Sequence, residues 1–342
     1  KESKLRFVCK DCRDGFLLKV DRMKEELRQM KRELSQSKGE TIDGEGFSVE
    51  NEGNFFSRLL RKDNRAKEIQ LMEKERERLQ KLKQKREDRM REAVPTWKED
   101  ILPNWEARSG SKKLKQLCWW GIPPVLRGKV WPLLIGNKLG ITRELFSVHC
   151  ERASEIKREF KEKNKKEAQV SANLVDKEST VLLIPVDIGR TFPLLGFFKE
   201  EGPQRQELRI VLEAFACLRP DIGYVQGMSF IAAVMLLNMD PYTAFQCFAN
   251  LLNMKIFVEF YKMNLINIKK YVLILEELMM KNIPKVAENF ADLGLKTDMY
   301  IVDWFLTLYS RPLPLDIALR IWDYCLHEKT CFMFRVAVGI LK

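Results

Sequence analysis

Two short polar segments interrupt a mostly apolar stretch of the chain, and each presents one side chain that could take part in chemistry. Residues 184–193 read IPVDIGRTFP and residues 220–228 read PDIGYVQGM. Because proline and glycine bound both segments, each is expected to form a loop. Arg190 carries a permanent positive charge, and Gln226 offers an amide group. Taken singly, Arg190 is typical of a surface arginine paired with Asp187, and Gln226 alone carries no functional signal.

The composition restricts other kinds of catalytic site. The chain has 342 residues and two histidines, His149 and His327, so a histidine-based metal site or nucleophile–histidine pair would have to use one of them. Eight scattered cysteines are typical of a reduced, cytosolic protein. Cys9 and Cys12 have half of a zinc-site spacing, but no second pair follows within about 30 residues. We therefore expect no metal site. A chance spacing or a surface pair is the favoured interpretation of Cys9 and Cys12, and the end of a zinc finger that begins upstream is the alternative.

Helices are the elements that must position the two segments. The run LRIVLEAFACLR is apolar almost all round, which predicts a buried helix. Asp240 followed by Pro241 is a helix N-terminal signal. Since no alternating strand pattern and no βαβ unit occurs, the predicted fold class is all-α. The predicted helices cover 208–219, 225–238, 241–253, 298–310 after a Thr297 cap, 315–325 and 331–342, with a polar surface helix at 151–170.

The first part of the chain has a different organisation. A short coiled-coil-like helix is predicted over residues 1–34, because apolar residues from Val20 to Leu34 recur at spacings of three and four. A flexible linker is predicted over residues 35–57. A charged helix is predicted over residues 58–94, and Pro95 is expected to end it. Closely spaced tryptophans then predict a packed domain over 97–342.

The formal net charge of +12 is unevenly distributed. Residues 1–100 carry a net +5, residues 101–180 a net +7, and residues 181–342 are neutral. The neutral half contains both polar segments, so the excess does not form a field over them. Solvated helices are the favoured interpretation of the basic half, and weak contact with a membrane surface is the alternative. A nucleic-acid binder is not expected, because the basic residues are not interleaved with aromatic ones in a known motif.

Together, the two segments resemble the signature motifs of the TBC domain, the helical domain of Rab GTPase-activating proteins. The first matches IxxDxxRTFP, which begins at Ile184, and the second matches YxQGM. The resemblance covers roughly 119–342 and includes two further motifs. One is GIPP at 121–124 with Arg127 and Trp131, and the other is the region 315–323 with Arg320, Trp322 and Asp323. Because the chain ends at Lys342 in an apolar helix, the resemblance predicts a domain truncated at its C-terminus.

The resemblance implies a role for each motif residue. Arg190 would be an arginine finger and Gln226 a glutamine that orients the attacking water, both supplied to a Rab in its GTP form. Asp187 would orient the finger, Tyr224 would anchor the loop, and Gly227 would allow close backbone approach. GTP and Mg²⁺ would belong to the Rab, so no cofactor of its own is expected. Structural roles in packing and hydrogen bonding are expected for Arg127, Trp131, Arg320, Trp322 and Asp323. The variable motif positions hold Pro185, Ile188 and Gly189, and a glycine beside the finger predicts a looser loop.

Three functions are compatible with these motifs. The leading one is a Rab GTPase activator, which stimulates its partner's hydrolysis and catalyses nothing alone. The second is a Rab-binding effector or scaffold without acceleration. The third is a coiled-coil adaptor in membrane trafficking, with self-association through residues 1–34 and function centred on residues 1–92. The expected location is cytoplasmic, peripherally on endomembranes such as endosomes, Golgi or autophagic membranes.

Overall fold

A computed structural model describes residues 51–166, 180–181 and 183–342. The chain divides into two compact units, one ending at Arg91 and the other covering Glu92–Lys342. The predicted helix at 1–34, residues 35–50 of the predicted linker and the Cys9/Cys12 pair lie outside the described residues. Within the described ranges, every regular element is helical, as the sequence predicted. No helix in these ranges is long and apolar enough to cross a membrane.

Helix α1, Asn51–Glu92, carries the charged sequence. It begins seven residues before the predicted start at 58, so part of the region predicted as a linker is helical. Residues 54–94 contain no glycine or proline that would interrupt the helix. Short-range ion pairs such as Arg78–Glu75 at 2.9 Å line its surface.

The second unit contains fifteen further helices within the described residues, joined mostly by short turns. A π-helical turn, Trp97–Ile101, follows the first of them. In chain order the helices are α2 Val94–Thr96, α3 Trp105–Arg108, α4 Lys112–Trp120, α5 Pro124–Ile135, α6 Arg143–Lys166, α7 Ile184–Gly189, α8 Arg205–Leu218, α9 Met228–Leu236, α10 Pro241–Leu252, α11 Lys255–Tyr261, α12 Leu265–Asn282, α13 Pro284–Asp292, α14 Asp298–Leu306, α15 Leu315–Glu328 and α16 Thr330–Leu341.

Helix α8 lies at the centre of the half that carries the two polar segments. It packs against α6, α7, α9 and α10, and residues from Leu208 to Cys217 are buried apart from Arg209 and Ile210. This confirms the prediction of a buried helix. Helix α8 has apolar side chains on nearly every side, and each of these faces needs a neighbouring helix to exclude water. This explains why α8 is surrounded by other helices.

Several helix ends differ from their predicted positions. Asp240 does cap α10, because its side chain accepts a hydrogen bond from Thr243 N at 3.2 Å. Thr297 makes no side-chain cap bond, and α14 ends at Leu306 rather than 310. The early end follows from Leu308 and Tyr309, whose φ values of 44° and 63° lie outside the right-handed helical region.

A buried carboxylate joins the beginning of the second unit to its end. Asp323 on α15 accepts hydrogen bonds from Ile122 N at 3.0 Å and Trp131 Nε1 at 2.9 Å. It also accepts hydrogen bonds from Arg127, from Nε at 3.1 Å and from Nη2 at 2.9 Å. Asp323 is fully buried and Arg127 nearly so. The buried charges are therefore paired and hydrogen-bonded, as a stable core requires.

The two other residues assigned a structural role lie on the same helix. Trp322 is fully buried, donates from Nε1 to the Leu308 carbonyl at 2.9 Å, and packs against Trp131 with ring centroids 5.4 Å apart. Arg320 is half-buried and donates from Nη2 to the Trp119 carbonyl at 3.3 Å. Helix α15 thus holds α4 and α5 against the body of the unit.

Candidate functional site

Arg190 lies at the C-terminal end of the short helix α7. Ile184 and Ile188 are buried and fix one face of this helix to the core. Asp187 is also buried, whereas the side chain of Arg190 is 54% exposed. The backbone N–H of Arg190 donates to the Asp187 carbonyl at 3.2 Å, which closes the last turn. The guanidinium is therefore presented to solvent from a rigid base.

Asp187 connects Arg190 to the second polar segment. Its Oδ1 forms an ion pair with the Arg190 guanidinium, and its Oδ2 accepts a hydrogen bond from the Tyr224 hydroxyl at 2.6 Å. Burial, together with the neighbouring Asp187 carboxylate, raises the pKa of Tyr224, so the phenol stays protonated and acts as the donor. A single carboxylate thus fixes the Arg190 head group relative to the loop that carries Gln226.

A second bridge joins the same two segments. The Thr191 hydroxyl donates to the Asp187 carbonyl at 2.7 Å, and its oxygen lies 2.8 Å from the Ser229 hydroxyl at the start of α9. Both residues are buried. Because α7 also packs against α9, the positions of Arg190 and Gln226 are coupled by backbone and side-chain contacts.

Gln226 is exposed at the tip of a tightly held loop. Next to it, Gly227 has φ of 101° and directly precedes α9. A Cβ at this glycine would lie 3.4 Å from the Thr307 methyl group, so the backbone here passes close to the end of α14. On the N-terminal side of Gln226, the backbone N–H of Tyr224 donates a hydrogen bond to Thr180 Oγ1 at 2.7 Å. The glutamine side chain is thereby free while its backbone is fixed.

An ion-pair network holds the start of the glutamine loop. Asp221 pairs with Arg219 Nε at 2.8 Å and with Lys262 Nζ at 2.7 Å. Hydrogen bonding from Arg219 and Lys262, with their charges, holds the pKa of Asp221 well below its usual range, although partial burial acts in the opposite direction. Arg219 also donates to Asn253 Oδ1 at 3.0 Å. The loop is therefore tied at both ends to helices of the core.

The arrangement offers two exposed polar groups to another molecule. Arg190 provides a permanent charge in a planar fork suited to phosphate oxygens. Gln226 provides an amide that can both donate and accept hydrogen bonds. In the described part of the chain, no three His, Cys, Asp or Glu side chains are grouped so as to hold a metal ion. The Arg190 guanidinium can stabilise negative charge, and the Gln226 amide can form hydrogen bonds with a water molecule.

The sequence predicted Arg190, Asp187, Gln226 and Tyr224 as site residues and the pairing of Arg190 with Asp187, but not the contacts that join the two segments. The Tyr224–Asp187 and Thr191–Ser229 contacts join residues 37 and 38 positions apart. No periodicity or local spacing encodes such pairs. Thr191 lies within the first motif and Ser229 directly after the second, and the sequence does not indicate that their hydroxyl groups meet.

Comparison with known proteins places the chain among related domains. A model of the Rab-GTPase-TBC domain matches residues 124–342. TBC1 domain family member 14 of Mus musculus is 45% identical over 282 residues, covering 81% of this chain and 40% of that protein. TBC1 domain family member 12 of Xenopus tropicalis is 42% identical over 269 residues, covering 78% of this chain and 39% of that protein. The chain therefore spans about two fifths of the length of these relatives.

Solved structures show the same architecture. The crystal structure of the Chlamydomonas flagellar RabGAP TBC domain has a TM-score of 0.55 and 25% identity, over 74% of this chain and 81% of that one. The Ypt/Rab-GAP domain of Gyp1p has a TM-score of 0.50 and 20% identity, over 70% of this chain and 83% of that one, and supports the fold alone. The shared fold agrees with the family match over residues 124–342. The chain therefore belongs to the Rab-GTPase-TBC domain family.

Proposed function

We propose that this chain accelerates GTP hydrolysis by a Rab-family GTPase, with Arg190 and Gln226 supplied in trans. One observation carries the proposal: the buried Asp187 carboxylate joins the exposed arginine at the end of α7, through Tyr224, to the loop that carries the exposed glutamine. Family membership supports the same activity and a Rab as the partner. The partner in its GTP form brings the nucleotide and Mg²⁺, so this chain contributes side chains only.

The chemistry of hydrolysis explains why these two groups are needed. As water attacks the γ-phosphate, negative charge develops on the phosphoryl oxygens and the attacking water has to be aligned. The Arg190 guanidinium neutralises part of that charge, and such a finger raises the rate by about 10³–10⁵. The Gln226 amide orients the water by accepting and donating hydrogen bonds.

Preorganisation by Asp187 is the second part of the mechanism. A free arginine would have to lose conformational freedom when the complex forms, which reduces the gain in rate. The ion pair with a buried, tyrosine-bonded carboxylate restricts Arg190 before the partner arrives. In the complex, the guanidinium has donors for both Asp187 and phosphate oxygens, since its five N–H groups point in several directions.

Single-turnover GTP hydrolysis over a panel of Rab proteins tests the proposal. The wild-type chain should accelerate hydrolysis by at least one Rab, and Arg190→Ala should lower that rate by at least about 100-fold. Gln226→Ala should also lower it, without weakening binding of the GTP-loaded Rab to the same degree. Arg108→Ala is the matched control, because Arg108 is a similarly exposed arginine paired with Asp100 at 2.8 Å. Binding without acceleration for every Rab would refute the activator and support an effector or scaffold.

The location of the protein follows from this function. We infer a cytoplasmic protein that visits the endomembrane on which its Rab resides, with endosomal, Golgi and autophagic membranes as the candidates. The basic excess upstream of residue 181 supports a weak contribution from the membrane surface. Deleting residues 1–92 tests this: if recruitment is unchanged, the N-terminal region is not the targeting device.

A further inference from the structure

Helix α12 presents large apolar side chains to solvent on its outer side. Its inner side packs on α11, α13, α14 and α16. The buried residues of that inner side are Ile268, Leu275 and Met279. On the outer side, Ile266 is 76% exposed, Leu273 54% and Met280 55%. Large apolar side chains exposed along one helix are typical of a surface that another protein covers.

The three exposed residues form one stripe along the helix. They recur at intervals of seven, and a straight α-helix drifts by only about 20° over seven residues. Ile266, Leu273 and Met280 therefore lie in line over about 21 Å of helix, at 1.5 Å per residue. We call these three residues the α12 stripe. An apolar repeat of seven residues is the pattern by which two helices pack side by side.

Four charged residues border the α12 stripe, two on each side. Lys269 and Glu276 are seven residues apart and share one side, and Lys270 and Glu277 share the other. All four are exposed. Lys270 donates to Asn267 Oδ1 at 2.8 Å, and the other three form no ion pair with any residue that the structure describes. Both lysines thus precede the centre of the stripe, and both glutamates follow it.

We propose that α12 packs antiparallel against α12 of a second copy of this chain, with a twofold axis at Leu273. In that arrangement each lysine faces the glutamate that lies on the same side of the stripe in the other copy. Lys269 meets Glu276 of the second copy, and Lys270 meets Glu277 of the second copy. An in-register parallel arrangement would place like charges opposite each other, so the order of the charges selects the antiparallel one.

The apolar residues match under the same twofold axis. Ile266 and Met280 are each seven residues from Leu273, so Ile266 of one copy lies beside Met280 of the other. At the axis, Leu273 meets its own counterpart, as an isologous contact requires. Because the surface is small, we expect a reversible dimer with a Kd on the order of 10–100 µM. The association does not depend on GTPase activation, since it uses neither Arg190 nor Gln226.

Sedimentation equilibrium of the full chain, between about 1 and 300 µM, tests the proposal. The wild-type chain should follow a monomer–dimer equilibrium. Lys269→Glu with Lys270→Glu should weaken the dimer at least about tenfold, and so should Glu276→Lys with Glu277→Lys, because every contact beside the stripe then joins like charges. Mixed in equal amounts, the two double variants should form a dimer again, since each contact then joins an acidic residue to a basic one. Recovery in the mixture also shows that both variants are folded.

Two further variants separate the stripe from a general effect of charge. Leu273→Ser should weaken the dimer without changing the charge, because it removes the apolar contact at the axis. Lys129→Glu with Lys138→Glu is the matched control and should leave the dimer unchanged. Both of these lysines are exposed, and Lys129 lies on α5, which packs on α10 and α15.

Several results would overturn the proposal. A wild-type chain that stays monomeric over the whole range has no such contact. A dimer that neither double variant weakens forms through another surface, and equal weakening by the control shows that the effect is not specific to α12. If the two double variants weaken the dimer but do not associate when mixed, the antiparallel arrangement is wrong.

Discussion

Removing the buried Asp323 carboxylate should destabilise the domain strongly. In Asp323→Ala, the Arg127 guanidinium, whose side chain is only 6% exposed, keeps its charge but loses its ion-pair partner. Breaking a buried pair in this way costs about 3–5 kcal/mol. Trp131 and Ile122 also lose the acceptor of their N–H groups, at about 1–3 kcal/mol each when unsatisfied. Because the donors form one network, these losses do not add, and we expect about 4 kcal/mol in total.

Urea unfolding followed by tryptophan fluorescence measures this loss. With a slope of about 2–3 kcal/mol per molar urea, the midpoint should fall by about 1.3–2 M. Asp100→Ala is the control, because Asp100 also pairs with two cations, Arg108 and Lys113, but at the surface. Surface pairs contribute about 0–1 kcal/mol, so its midpoint should barely move.

A double variant distinguishes an uncompensated charge from simple loss of packing. Adding Arg127→Met to Asp323→Ala removes the stranded guanidinium, so the double variant should unfold at higher urea than Asp323→Ala alone. Equal midpoints for Asp323→Ala and Asp100→Ala would refute the reasoning. The reasoning would also be refuted if the double variant lost as much unfolding free energy as Asp323→Ala and Arg127→Met lose together when measured singly.

Two glycines beside the finger residues should respond in opposite ways. Gly227→Ala forces a side chain into φ of 101° and against the Thr307 methyl group, so stability should fall by about 1–3 kcal/mol and single-turnover acceleration should decrease as Gln226 is displaced. Wild-type stability and rate would show that the loop adapts freely. Gly189→Ala has open space for its Cβ and continues helix α7, so stability in thermal unfolding should rise by about 0.4–1 kcal/mol with acceleration at least at the wild-type level. A decrease in stability would contradict the helical role assigned to Gly189.

Elements with strong local signals were predictable from the sequence. The apolar run at 208–219 corresponds to α8 at Arg205–Leu218, and the Asp240–Pro241 pair marks the start of α10. Apolar periodicity and capping residues act within a few positions, so a single sequence contains them. The all-α class followed from the same signals.

Helix ends that depend on unusual backbone conformations were not predictable. Helix α9 begins at Met228 rather than 225, because Gly227 adopts a left-handed conformation directly before it. Helix α14 ends early at Leu306, because Leu308 and Tyr309 just beyond it have positive φ although neither is glycine. Tyr309 is fully buried and donates to the Met333 carbonyl at 2.7 Å, so a tertiary contact accompanies a conformation that its own type disfavours.

The candidate site was predictable in its residues and only partly in its geometry. Three-residue spacing was enough to predict the Arg190–Asp187 ion pair, which the structure contains. The partner of Tyr224 could not be inferred, because Asp187 is 37 residues away and only the packing of α7 on α9 brings them together.

The contacts of Asp323 have a consequence for the order in which a nascent chain can fold. Ile122 and Asp323 are 201 residues apart in sequence. At about 5–20 residues per second, a ribosome needs roughly 10–40 s to add that length. Throughout this time Arg127 and Trp131 have been synthesised but lack their acceptor, so α4 and α5 cannot complete their native packing. The packing of α4 and α5 on α15 can therefore form only after α15 itself, Leu315–Glu328, has been synthesised.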